Sequence, residues 1–260
     1  MSALLELRGV GISFGGMRAV DDLSLAIEEG HIAALIGPNG AGKTTVFNMI
    51  TGVCRPTNGE ILWQGRNIAG AAPHQIAALG IRRTFQTIRL FPGMSVFDNV
   101  RAGCHLRARQ RWWQGLLGLP AQRREEAALA ERTHEVLRRL DLDGAADEMA
   151  VSLPYGLQRR VEMARALVVQ PKLVILDEPA AGLNDAESAE LSQTIFAIRD
   201  SGVTVLLVEH DMNVVMNVTD HIVVINFGRK IAEGNAAAVR DDPAVIEAYL
   251  GRDDDEEPVA

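Results

Sequence analysis

The stretch GPNGAGKTT, Gly37 to Thr45, constrains the fold of this chain more than any other. It fits the pattern G-x-x-x-x-G-K-[ST], in which backbone N–H groups wrap phosphates with help from the N-terminus of the following helix. Such a loop must leave a buried strand and enter a helix. IAALI, from Ile32, runs straight into Gly37, and KTTVFNMIT carries apolar residues at helical spacing. Gly37, Pro38, Asn39, Gly40, Ala41, Gly42, Lys43, Thr44 and Thr45 are therefore expected to cradle a nucleoside triphosphate. Lys43 would reach the β and γ phosphates, the Thr44 hydroxyl would hold Mg2+, and Thr45 would add a further phosphate contact.

Hydrolysis needs a carboxylate for the metal and a group that activates water. LVILDEP, from Leu173, delivers both at the end of an apolar run: Asp177 suits the metal, through water, and Glu178 suits the general base. LVILDEP and VTVLLVEH, from Val203, are short and continuously apolar with a helical stretch between them, as parallel strands covered on both faces are. LLELRGV and LSLAI, nearer the start, read as further strands. Between about Ser95 and Gln170 the pattern turns helical, in EEAALAERTHEVLRRLDL and again in QRRVEMARALVV. The core is thus expected to be α/β with a helical insert.

The net charge of -8 argues against a nucleic-acid surface, and half of that excess sits in the tail, where Arg252 to Glu257 sets five carboxylates against one arginine. Residues 252–260 read as a solvated, disordered end. Cys54 and Cys104 match no metal or redox spacing, which suits structural roles in a reducing compartment. No run approaches the roughly 18 consecutive apolar residues of a membrane span, and MSALLELRGV has no signal pattern. The expectation is a cytoplasmic chain that serves a membrane only by docking onto a separate membrane protein.

With these motifs others fall into order. RTFQT contains Gln86, SLPYGLQRR precedes a helix, AAGLN follows Pro179, VEHDM contains His210, and ISFGG contains Phe14. Over almost its whole length the chain resembles the ATP-binding-cassette (ABC) ATPases. The resemblance implies a single ABC ATPase domain over 1–251, with a P-loop, RecA-like α/β core, an N-terminal antiparallel β subdomain and a helical subdomain inserted at about 90–170. It also implies that Gln86 ligates Mg2+ or the attacking water and lies where a membrane subunit docks. His210 would contact the γ-phosphate, Phe14 would lie against adenine, and Gly156 would face nucleotide across a dimer interface. Taken alone, Phe14 reads better as core, and only its place in the family pattern brings the adenine role level with that reading. In this family two cassettes close over two ATP molecules, and attached membrane subunits turn closing and opening into alternating access.

The signature departs from the family's L-S-G-G-Q: Leu153 is followed by Pro154, Tyr155, Gly156 and Leu157. Pro154 offers neither a hydroxyl nor an N–H to phosphate, and Leu157 removes a side-chain amide. The expectation is a weakened phosphate contact from this side, with a different cassette as partner, although Pro154 suits a helix's first turn. LPYG with QRR, RTFQTIRLFPGMSVFDNV, DEPAAGLN, VEHDM and AYLG resemble the LivG-type ATPases of branched-chain amino acid importers. That resemblance implies two permease subunits, an extracytoplasmic solute-binding protein and a place on the cytoplasmic face of the membrane. An ATPase of an exporter or lipid extractor is the rival reading, ahead of an ABC ATPase unconnected with transport. The arginines around Trp112 and Trp113 read as a solvated arm, or as a segment that approaches the bilayer.

Overall fold

The computed structural model describes residues 3–84, 87–106 and 120–250. They fall into two compact units, one of residues up to Ala77 together with those from Thr204, the other Ala78–Val203.

The first unit opens with β1 (Ala3–Phe14), β2 (Met17–Glu28), β3 (Ile32–Ile36), α1 (Lys43–Ile50), β4 (Asn58–Trp63), β5 (Arg66–Asn67) and α2 (Pro73–Ala78). An antiparallel sheet runs in the order β2, β1, β4, β5. Both β1 and β2 are longer than the apolar runs that signal them, because their ladder slips register at several points and continues beyond each slip. Gly9, at φ +56°, sits in one such slip; an extra residue there bends the strand instead of ending it.

The second unit comprises β6 (Ile81–Arg83), α3 (Val96–Ala102), α4 (Pro120–Arg139), α5 (Tyr155–Leu167), β7 (Leu173–Asp177) and α6 (Asp185–Asp200). β6 and β7 pair in parallel, with Arg83 opposite Ile175. Helix α6 begins with a reciprocal capping box: the Asn184 side chain accepts from the Glu187 N–H and Glu187 accepts from the Asn184 N–H, which satisfies two otherwise unpaired donors. Pro154 lies one place before the first turn of α5, at φ -52° and ψ 149°, and supplies no side-chain cap. The helix nonetheless starts at Tyr155, because a missing N–H costs nothing before the first turn.

The chain then returns to the first unit through β8 (Thr204–Val208), α7 (Met212–Val218), β9 (His221–Asn226), β10 (Arg229–Gly234), α8 (Ala236–Arg240) and α9 (Pro243–Leu250). β3 lies between β8 and β9, parallel to both, and all five of its residues are buried. That explains why IAALI is unbroken by a polar residue: neither face meets water. Side chains fix the start of β3, where Ile32 donates its N–H to Asp220 Oδ2 at 2.8 Å and Gly30 donates to Thr204 Oγ1 at 2.9 Å. Among the described residues, no helix is long and apolar enough to cross a membrane.

Candidate functional site

The P-loop leaves β3 under tight steric control. Gly37 is buried, has φ +154°, and a Cβ added there would meet the Ile225 carbonyl oxygen at 2.0 Å. Gly42, at φ +104°, would meet the Ala19 carbonyl oxygen at 2.6 Å, and Gly40, at φ +80°, faces open space. Glycine is thus required by close approach at 37 and 42 and by backbone conformation at 40. Ala41 ties the turn together, its N–H donating to Pro38 O at 3.1 Å and its carbonyl accepting from Gly228 N–H at 2.9 Å. Pro38 is half-buried, whereas Asn39 and Gly40 are exposed at the rim.

Helix α1 starts at Lys43 with no side-chain cap and no acidic residue in its first turn. An uncapped helix start without negative charge attracts an anion. The Lys43 side chain bends back over the loop, and its ammonium donates to Gly37 O at 2.7 Å and Pro38 O at 3.0 Å. A buried ammonium needs such partners; here they hold it at the mouth of the cradle. Thr44 is exposed and Thr45 half-buried behind it.

Four more residues of the first unit bear on the site. Phe14 is 56% exposed at the β1–β2 turn, opposite Met17, so the core reading fails and the ring is available for stacking. His210 follows β8 with its side chain largely exposed, its Nδ1 3.9 Å from Glu209 Oε2. Glu209 is fully buried, and its Oε2 accepts from the N–H groups of His210 at 3.1 Å and Asp211 at 3.4 Å. It shapes the turn that presents His210, and sequence reasoning missed it; its only signal was a carboxylate directly after an apolar strand. Tyr249, on α9, reaches the P-loop: burial pushes its phenol up, while a hydrogen bond with the Gly37 backbone pulls the other way.

The second unit carries the carboxylates. Asp177 is the last residue of β7, 7% exposed, and its N–H donates to Thr84 Oγ1 at 3.3 Å. Its Oδ2 accepts from Arg83 Nη2 at 2.6 Å, a contact the sequence did not announce. Glu178 follows at φ +47°, a left-handed conformation that costs a glutamate about 1 kcal/mol and persists only where surroundings impose it. Among the described residues, no group of three or more His, Cys, Asp or Glu could hold a metal ion.

At the signature, Gly156 lies in the first turn of α5, where an added Cβ would come within 3.5 Å of Glu187 Oε1. The Tyr155 hydroxyl accepts from Arg159 Nη2 at 3.0 Å, and its ring would lie 3.5 Å from a Cβ at Gly182, in the AAGLN segment. Arg159 and Glu162 are both buried, with 3.6 Å between Nη1 and Oε2. Gln86, Trp112, Trp113 and the acidic tail lie outside the described residues.

A glycine-built loop between β3 and α1 with Lys43 folded over it, a buried aspartate and its neighbouring glutamate at the end of β7, and an α/β core with an antiparallel sheet together define a P-loop ATPase. The chain belongs to the ABC transporter family, whose model matches residues 20–181, and whose cassettes hydrolyse ATP to drive transport. A second model, described as branched-chain amino acid ATP-binding cassette transporter, matches residues 229–255. The chain is 45% identical over 249 residues to the high-affinity branched-chain amino acid transport ATP-binding protein BraF of Pseudomonas aeruginosa, covering 95% of this chain and 98% of the relative. It is equally similar, with the same coverage, to the LivG protein of that description from Salmonella typhimurium. A crystal structure of an ATP-binding cassette of an ABC transporter, in its ADP conformation, matches with a TM-score of 0.85 at 30% identity, covering 96% of this chain and all of that one.

Proposed function

We propose that this chain is the ATP-hydrolysing subunit of an importer for branched-chain amino acids or related small polar solutes, acting at the cytoplasmic face of the membrane. The similarity to BraF along nearly all of both chains carries the reading. The uncapped start of α1 and the Lys43 ammonium suit a triphosphate. Phe14 stacks on adenine, and the loop from Gly37 to Thr45 holds the phosphates.

The residues present also fit Mg2+, which prefers an octahedral set of one or two protein oxygens, phosphates and waters to an all-protein cage. Thr44 would hold it directly, Gln86 would add a ligand, and Asp177 would act through water. When bound, the ion neutralises charge on the phosphates as the terminal group leaves. Glu178 takes a proton from the attacking water. His210, held by the turn that Glu209 shapes, contacts the terminal phosphate.

The partners are a second cassette, two permease subunits and, through these, an extracytoplasmic solute-binding protein. Phe91, Met94, Met149 and Val151 are exposed, and backbone bonds from Met94 to Phe91 and from Ala150 to Met94, with a bridge between Ser95 and Met149, gather them on one side of the second unit. Such an apolar patch supports docking of a membrane subunit. Pro154 supports a different chain as second cassette: its side chain has no hydroxyl to give, so two copies of this chain would form two poor sites, with Gly156 alone offering backbone to the opposite nucleotide.

The test is ATP hydrolysis by the purified chain, with and without the cassette encoded beside it, and with Glu178→Gln as control. Marked stimulation by the partner, lost in Glu178→Gln, is expected. Brisk, cooperative hydrolysis by the chain alone would remove the argument for a mixed pair.

A further inference from the structure

Arg83 is the last residue of β6, and β6 pairs with β7 so that Arg83 lies opposite Ile175. Two contacts then lock the strand ends together: Thr84 donates its N–H to Ile175 O at 3.0 Å, and Asp177 donates its N–H to Thr84 Oγ1. This places Arg83 Nη2 2.6 Å from Asp177 Oδ2, with the side chains only 15% and 10% exposed. Neither group can swing freely into water, and a guanidinium does not lose its proton.

A carboxylate in that setting is costly to leave bare. If Asp177 is the metal carboxylate, its oxygen must later accept from a metal-bound water, and two cationic partners at one oxygen repel each other. We propose that Arg83 is the resident counter-ion of Asp177 in the metal-free protein and competes with Mg2+ for it. This rests on the proposed role of Asp177. Arg83 is a positioning residue in this account. It keeps the carboxylate neutralised and aimed before metal arrives, and it lowers the affinity for the metal by the strength of the ion pair that must loosen.

Charge fixes two opposite effects of removing the guanidinium. Nucleotide without metal would meet an uncompensated Asp177, so it binds less well; nucleotide with metal would no longer displace Arg83, so the metal adds more. The ratio of the dissociation constant for ATP in EDTA to that in Mg2+ therefore widens.

Both constants are measured by calorimetric titration in a Glu178→Gln background, where no turnover intervenes. Arg83→Ala is expected to raise the ratio about tenfold, the scale of a partly buried charge pair, and Arg83→Lys less. On top of Asp177→Asn, Arg83→Ala is expected to change nothing. An unchanged ratio in Arg83→Ala, where Asp177→Asn alone shifts it, would overturn the proposal and leave the metal role of Asp177 standing. No shift in Asp177→Asn alone would overturn that role, and the counter-ion with it. Arg83→Gln, which keeps length and one donor, replaces Arg83→Ala if the latter does not fold, and the same outcomes apply.

Discussion

The β-carbon that Gly37 lacks would stand 2.0 Å from the carbonyl oxygen of Ile225. The contact joins the first residue of the P-loop to β9, a strand nearly 190 positions later, so the loop's shape depends on a neighbour strand and not on its own sequence alone. Gly37→Ala must push that strand or the loop aside. A loss of about 2–4 kcal/mol in urea unfolding, typical of a clash with backbone in a tight site, is expected together with loss of ATP binding. Near-normal binding of a fluorescent nucleotide would show that the loop adapts.

Lys43 and Glu178 should separate binding from chemistry. Removing the Lys43 ammonium, which sits on Gly37 O and Pro38 O, is expected to weaken ATP binding in calorimetry. Glu178→Gln keeps shape and loses basicity. Binding should persist while turnover by the assembled cassettes falls about 100- to 10,000-fold, the usual scale for a general base.

Arg159 and Glu162 form a buried charge pair one turn apart on the signature helix. Arg159→Ala takes away one cation beside Glu162, leaving Arg165 Nη2 at 3.8 Å, and removes the donor to the Tyr155 hydroxyl, so it should cost about 1–3 kcal/mol in denaturant unfolding. Replacing both, as Arg159→Met with Glu162→Leu, should cost clearly less than Arg159→Ala alone. Tyr155→Phe, which removes only the hydroxyl, should cost about 1 kcal/mol.

Acid should weaken the first unit through Asp21. Hydrogen bonds from Arg229 first, and from Arg18 after it, hold the Asp21 carboxyl below its ordinary value against a smaller opposing effect of burial. A carboxyl depressed in the folded state stabilises at neutral pH, and that contribution fades as pH falls below about 4 and through the depressed value. The urea midpoint should therefore drop between pH 5 and pH 3 by about the amount linkage allows for one such group, and Asp21→Asn should drop less. The two arginines are exposed, so high salt should shrink the difference.

The parts of this protein that were readable in advance are those whose cause lies in neighbouring residues. IAALI coincides with β3, Ile32–Ile36, because a strand covered on both faces has no polar residue to blur its ends. The sharp turn out of β3 was readable because three glycines fall within six positions there, each at a positive φ. Arg83 was not, since the residue that gives it meaning lies 94 positions away and reaches it only through the pairing of β6 with β7. Glu209 hid for another reason: a buried carboxylate bonded to N–H groups looks, in sequence, like any strand-end polar residue. The full lengths of β1 and β2 were lost because bulges interrupt the alternation that marks a strand, without ending the strand itself.

The left-handed backbone at Glu178 sets two demands on one position at odds. Glycine would adopt φ +47° without strain, and asparagine with little. Either replacement should make the fold more heat-resistant while leaving it unable to turn over nucleotide. A search for thermostable variants that selects only on melting temperature would be drawn to this position and would return idle proteins. Any stabilised version of the chain has to gain its resistance elsewhere and keep this one uncomfortable residue as it is.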